Sequence, residues 1–296
     1  MFGNEVKIGN ILLKEEPVIM GILNVTPDSF SDGGRFNEVD AALKHTEEMI
    51  RDGAAIIDIG GESTRPGYDF VSSQEEIERT APVIEAIKNK FDVAVSLDTY
   101  KTPVAAAGIE AGADLINDIW GLKVSQVLAK EHPEYALENS SEAGFPTYAN
   151  AKLAKLVAEK KVPICLMHNR DCAEYEDYMP DVLKDLQESV DIAHLAGIQD
   201  SQLILDPGVG FGKTFQNNLE IIKKVDALQQ WQYPILLGTS RKSVIGLALD
   251  VDKDERLAGT IATTVMGVER GCKIFRVHDV KENYQAMKMT LEILKA

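Results

Sequence analysis

The chain has 296 residues, 45% of them hydrophobic, enough to bury a large core, and an α/β barrel of this length forms one domain. Its 31 Lys and Arg stand against 47 Asp and Glu, and the resulting net charge of −16 argues against nucleic acid or an anionic membrane as a partner. Cys165, Cys172 and Cys272 are odd in number and show no CxxC spacing, which predicts reduced thiols in a cytoplasmic protein. Residues 1–10 carry no basic-then-apolar signal, and no apolar run is long enough to cross a bilayer.

Residues 17–23, PVIMGIL, form a nearly all-apolar run, which predicts a strand buried on both faces as in a parallel sheet. The run stops at the polar Asn24. Residues 24–34 then follow neither a helical nor a strand period, because Thr26, Pro27, Asp28, Ser29, Ser31, Asp32, Gly33 and Gly34 break both, with Phe30 among them. A connection of this length without regular structure in a compact domain is predicted to be functional. Further apolar runs at 55–59, 93–97, 113–116, 162–167, 202–205, 234–237 and 273–277 bring the strand total to eight. Between them, 38–52, 73–90, 181–196, 218–229 and 254–270 place apolar residues at three-to-four spacing. This alternation predicts a (β/α)₈ TIM barrel of class α/β, a single domain over 1–296. The rival fold is a doubly wound open sheet, which would carry a glycine fingerprint after its first strand; 24–34 contains no GxGxxG.

Barrel chemistry sits on the loops at the carboxyl ends of the strands, and here nearly every end carries a polar residue. In order they are Asn24; Asp58 followed by GGESTRPG; Asp98 in SLDTYK; Asn117 and Asp118 in INDIWG; His168 in LMHN; Asp206 in LDPGVGFGK; Ser240, Arg241, Lys242 and Ser243 in GTSRKS; and Arg276 and His278 in FRVHD. Singly, each has a structural explanation. Asp58, Asp118 and Asp279 are read as helix caps, His168 fits a satisfied core histidine, and Gly208, Gly210 and Gly212 fit a tight turn beside Asp206. Caps, however, need no Lys, Arg or His, so convergence of all these ends on one mouth points to a binding site.

NVTPDSFSDGG, GGESTRPG, LDTYK, INDI, LMHN, LDPGVGFGK, GTSRKS and RVHDV, in this order, resemble the dihydropteroate synthase family of folate biosynthesis over about 18–281. The first two motifs are specific to that family; LDPG and the barrel pattern are shared with other pteridine-binding barrels. The resemblance implies a transferase that joins 6-hydroxymethyl-7,8-dihydropterin pyrophosphate to 4-aminobenzoate and releases pyrophosphate, with Mg2+ as cofactor, in a cytoplasmic homodimer with small-molecule substrates.

By the same resemblance, Asp206 accepts the ring N–H and amino group of the pterin as a bidentate pair, Asn117 meets ring nitrogens with one donor and one acceptor, and Lys242 and Asp98 also bind the pterin. Arg276, His278, Asn24, Thr64 and Arg65 match the pyrophosphate site. Asn24, with the substrate's own phosphates, is a sufficient magnesium site, since that ion keeps water and takes few protein oxygens. Phe30, Pro66, Lys242 and Ser243 match the aminobenzoate pocket. The implied chemistry is loss of pyrophosphate to a resonance-stabilised cation captured by the arylamine. Asp98, Asp32, Lys242 and Arg276 then carry catalysis, Asp32 by stabilising the cation or accepting the amine proton.

One stretch departs from the family: 123–150 is longer than the usual link after the fourth strand. Its composition predicts a surface excursion, and its place after the fourth strand puts it on the catalytic rim, as decoration or as a lid, with Tyr135, Leu137, Phe145 and Tyr148 as its only large apolar residues over 131–150. The rival functions are a pteridine-dependent methyltransferase, which would share Asp98, Asn117 and Asp206 but need no pyrophosphate site, and a pterin-binding module without turnover.

Overall fold

The structure, a computed structural model, describes residues 5–13, 16–26, 34–63 and 70–296. It opens with an antiparallel hairpin, β1 (Val6–Ile8) and β2 (Ile11–Leu13), paired in register Val6 with Leu13 and Ile8 with Ile11. Eight strands then form one parallel sheet: β3 (Val18–Asn24), β4 (Ala54–Gly60), β5 (Ala94–Asp98), β6 (Leu115–Asp118), β7 (Ile164–Met167), β8 (Leu203–Asp206), β9 (Leu236–Leu237) and β10 (Ile274–Val277). The order runs β8-β7-β6-β5-β4-β3-β10-β9. The two edges meet where Leu205 pairs with Ile235 and its N–H donates to the Pro234 carbonyl at 3.0 Å. These are the eight strands read from the apolar runs, and they form the expected barrel.

The helices follow the strands: α1 (Gly34–Arg51), α2 (Ser73–Lys90), α3 (Thr102–Ala111), α4 (Gln126–Glu131), α5 (Pro133–Glu138), α6 (Ala151–Lys160), α7 (Tyr178–Ala196), α8 (Phe215–Lys223), α9 (Ser243–Leu249), α10 (Leu257–Glu269) and α11 (Val280–Lys295). Their ends obey local rules. Ser72 accepts the Glu75 N–H at the start of α2, whose first turn carries Glu75 and Glu76 and whose last carries Lys88 and Lys90, matching the helix dipole. Asn150 caps α6, and Thr214 with Asn217 closes a capping box on α8. Among the described residues no helix is long and apolar enough to cross a membrane.

Strand period divides the barrel residues into two sets. Ile19, Ile57, Val95, Ile116, Leu166, Leu205, Leu237 and Phe275 point outward into the core shared with the helices. Met20, Ile56, Ala94, Leu115, Cys165, Ile204, Leu236 and Ile274, one from each strand, point inward and pack with Val6, Ile8 and Leu13. The hairpin therefore plugs the amino-terminal end of the barrel with a dry apolar layer. Two residues further along, five of the eight strands turn a polar residue inward, Asp58, Ser96, Asn117, Asp206 and Arg276, and the site begins there.

The 123–150 stretch is more ordered than its composition suggests. It folds into α4 and α5, and Tyr135 is fully buried, its hydroxyl accepting the Ser125 N–H at 3.3 Å and its ring edge-on to Tyr100 and Phe70. Asn139 Oδ1 accepts the Thr102 N–H at 2.8 Å, tying the segment to the first turn of α3. Leu137 is exposed and Tyr148 just over a third so. One anchoring ring and a buried amide, rather than a broad apolar face, secure it.

Candidate active site

The carboxyl-terminal mouth of the barrel holds a cavity of about 510 Å³. Parallel register decides which side chains meet there: Asn24 pairs with Gly60, Gly60 with Asp98, and Asp98 with Asn117. Asn24, Asp98 and Asn117 thus stand at one level on three strands. Asp206, Ser240, Lys242, Ser243, Arg276 and His278 complete the predicted set on the cavity wall. Phe30, Asp32, Thr64, Arg65 and Pro66 lie outside the described residues, although Thr26 and Ser63, which precede them, also line the cavity.

Arg276 organises the floor. Its Nε donates to Asp58 at 2.6 Å and its Nη2 to Asp98 at 2.7 Å. Asp58 is wholly buried. It is no helix cap; it belongs to the inward set two residues above Ile56, and a capping reading overlooks that parity. With Asp206 and Lys242 the floor carries three carboxylates against two cations. Burial, followed by the repulsion of Asp58, outweighs Arg276 and pushes the Asp98 carboxyl up to about 7. The other oxygens of Asp98 and Asp58, both named Oδ1, are buried without a hydrogen-bond partner among the described residues. Each is an acceptor already stripped of water, at a cost a polar ligand would recover.

On the opposite wall Asp206 Oδ1 accepts the Gly208 N–H at 2.7 Å. Gly208 has φ +68°, and a Cβ there would sit 1.9 Å from the His168 carbonyl oxygen, so only glycine makes this turn. Burial raises the Asp206 carboxyl above the usual range, partly offset by Lys242. Lys242 is half-buried, donates to the Val209 carbonyl and lies 4.7 Å from the Phe211 ring centroid. Burial brings its ammonium down to about 8. A side chain on Gly238 would project within 3.9 Å of Asp206 Oδ2 and of the Arg276 side chain, so the bare glycine leaves a slot between these walls.

The remaining strand ends divide. His278 donates its N–H to Ser240 Oγ at 3.1 Å, and its Nδ1 lies 3.0 Å from the same oxygen. His168 is buried away from the cavity between Asp185 (3.0 Å) and Lys213 (2.7 Å), its pKa lowered to about 4 by burial and by Lys213. It is a satisfied core histidine. Asp118 faces outward and accepts the Trp120 and Leu122 N–H groups, bracing its loop. Asp279 makes no capping bond and instead receives the Arg241 guanidinium.

Sequence reasoning passed over several wall residues: Glu62, Met167, Phe211, Lys253 and Arg256. Met167 could have been found, since it lies two positions beyond the inward Cys165. The others reach the cavity from loops, where no period applies. Among the described residues no group of three His, Cys, Asp or Glu is placed to hold a metal. Asn24 offers a neutral carboxamide oxygen at the rim, a hard donor that fits an ion retaining most of its water.

A model of the pterin-binding enzyme family matches residues 20–278. The chain is 53% identical over 277 residues to the dihydropteroate synthase of Clostridium beijerinckii, covering 93% of this chain and 94% of the relative. It is 50% identical to that of Bacillus subtilis, covering 93% and 88%. A solved Clostridium difficile dihydropteroate synthase, crystallised in the presence of pteroic acid, superposes with a TM-score of 0.84 at 43% identity over 95% of this chain and 98% of its own. A Xanthomonas albilineans dihydropteroate synthase with 4-aminobenzoic acid superposes with a TM-score of 0.84 at 34% identity over 99% and 98%. With the barrel, the mouth and the motifs all in agreement, the chain belongs to the dihydropteroate synthase family of pterin-binding enzymes.

Proposed function

We propose that this cavity joins 6-hydroxymethyl-7,8-dihydropterin pyrophosphate to 4-aminobenzoate: the bond from the pterin methylene carbon to the pyrophosphate oxygen breaks first, the amine nitrogen then captures the resulting cation, and the amine gives up one proton. The observation that carries the residue-level reading is the pair of buried carboxylates, Asp98 and Asp206, on facing walls of one slot with Asn117 between them in strand order. A flat heterocycle bearing N–H groups on two edges suits that spacing of acceptors.

In this reading Asp206 accepts the pterin's adjacent N–H and amino group, Asn117 meets ring nitrogens, and Lys242 donates to the carbonyl edge. Asp98 lies against the dihydropyrazine ring, where positive charge develops as pyrophosphate departs, and its ionised form stabilises that charge. Arg276, His278 and Asn24, with Thr64 and Arg65, take the leaving group. Arg276 is already shared by two carboxylates, so it supplies orientation more than free charge. Phe30, Pro66, Lys242 and Ser243 hold aminobenzoate, and Asp32 accepts the amine proton. Magnesium would be held by Asn24, and when bound it offsets the negative charge gathering on pyrophosphate.

The protein is proposed to act in the cytoplasm as a homodimer over its whole length as one domain. Met289, Ile293 and Leu294, more than half exposed on α11, support a contact through that helix. Incubation with both substrates and magnesium, followed by mass analysis, tests the reaction. A mass matching 7,8-dihydropteroate with stoichiometric pyrophosphate is expected; pterin binding without pyrophosphate release would leave a binding module.

A further inference from the structure

The connection from β8 to α8 supplies Gly210 and Phe211 to the cavity wall, and its Val209 carbonyl takes the Lys242 ammonium. Gly208, Gly210 and Gly212 all have positive φ, at +68°, +88° and +51°, so the backbone here has little stiffness of its own. Contacts from outside the connection must fix it. Asn218 accepts the Gly210 N–H at 2.6 Å, and the Tyr175 hydroxyl donates to the Gly212 carbonyl at 2.6 Å. The Phe211 carbonyl between them is taken by the Lys213 ammonium, at 2.9 Å.

Lys213 also reaches back to the end of β7. Its ammonium donates to His168 Nδ1 at 2.7 Å and to the His168 carbonyl at 3.3 Å, so three donors meet three neutral acceptors. The ring can accept because its other nitrogen is committed: Nε2 lies 3.0 Å from Asp185, whose carboxylate also receives Arg170. An imidazole that donates from Nε2 presents a lone pair at Nδ1. His168 is itself fixed to the sheet, its N–H donating to the Asp206 carbonyl at 2.9 Å. A chain of polar contacts therefore runs from Arg170 through Asp185, His168 and Lys213 to the Phe211 backbone. These four side chains stand behind the cavity wall rather than on it.

We propose that Lys213 is a positioning residue for pterin binding: by holding the Phe211 carbonyl against His168 it sets the Phe211 ring and the Val209 carbonyl, and these hold the Lys242 ammonium at the slot. This rests on the reading above that Lys242 meets the pterin.

The test uses the full-length protein with Lys213→Met, which keeps the aliphatic stem and loses the donors, and Lys213→Arg, which keeps donors. Lys213→Met should weaken calorimetric binding of 6-hydroxymethyl-7,8-dihydropterin about tenfold, close to the loss of one hydrogen bond from a charged donor; Lys213→Arg should recover part of it. Amide exchange across 208–211 should quicken in Lys213→Met while that of β4 and β5 stays as it was. In a Lys242→Met background, Lys213→Met should add no more than about threefold, because the first residue acts through the second. If Lys213→Met does not fold, Lys213→Gln, one bond too short to reach His168, takes its place in every measurement. Unchanged exchange across 208–211, unchanged pterin affinity, or fully additive losses in the double variant would each overturn the proposal. A Lys242→Met variant that binds the pterin as tightly as the parent would instead overturn the role assigned to Lys242, with exchange across 208–211 still deciding whether Lys213 holds the connection.

Discussion

Arg276 donates to Asp58 and Asp98 from two nitrogens of one guanidinium, at 2.6 and 2.7 Å, so the charge on either carboxylate is felt by the other. The proton affinity of Asp98 is accordingly a property of the group of three. Its carboxyl stands near 7 because burial and Asp58 outweigh Arg276.

That arrangement predicts the pH dependence. If ionised Asp98 stabilises the developing cation, kcat/KM falls as pH drops through about 7. Asp58→Asn keeps an acceptor for Arg276 Nε but removes the neighbouring charge, so the acid limb should move to lower pH by about one unit. An unmoved limb in the pH profile would assign the titration to another group.

Asp206→Asn should cost roughly 2–3 kcal/mol of pterin affinity, since one amide oxygen replaces a charged acceptor of two N–H bonds. The amide oxygen can still accept the Gly208 N–H, so the turn and the melting temperature should survive. Calorimetry and thermal melts on the same sample check both halves, and unchanged affinity would sink the assignment.

The 123–150 stretch looks dispensable by composition, but its ordering is tied to Tyr135. Tyr135→Ala should cost about 3–5 kcal/mol, as for other buried aromatics, and Tyr135→Phe, which loses only the bond from Ser125, about 1 kcal/mol. Replacing 133–147 by a Gly/Ser linker removes Tyr135 and the Asn139 tie to α3, and should lower the melting temperature. Urea unfolding curves rank the three; equal stabilities would return the segment to surface decoration.

His168 is held neutral, its pKa lowered to about 4 against an ordinary value of 6.5. The unfolded chain then binds more protons between those pH values, so this residue makes stability rise from pH 4 to 6.5 and lowers it on acidification, by up to about 3 kcal/mol. The difference in unfolding free energy between the protein and His168→Gln should narrow as pH falls through that window. A constant difference would mean His168 is not neutral in the fold.

The strands were legible because each carries a run of β-branched and aliphatic residues, and the mouth because polar residues stop those runs. The β1–β2 hairpin was not read: its strands are three residues each, too short for a period, although Gly9-Asn10 between VKI and ILL is a two-residue turn signal. Asp58 was misread because a carboxylate before a glycine-rich loop resembles a cap; counting two positions from Ile56 would have turned it inward. Lys213 gave no signal, since the His168 ring it meets lies 45 positions away in sequence.

The ring closes between β8 and β9 through one bridge at Leu205 and Ile235, with β9 only two residues long. Asp206 stands on one side of this seam, Gly238 and Lys242 on the other. A pterin bound between them would act as a rivet across the weakest join of the barrel, making ligand occupancy part of the barrel's mechanical integrity. Exchange of amide protons at the seam, Leu205 above all, should then slow more on ligand binding than that of β4 and β5, which are already secured by neighbours on both sides.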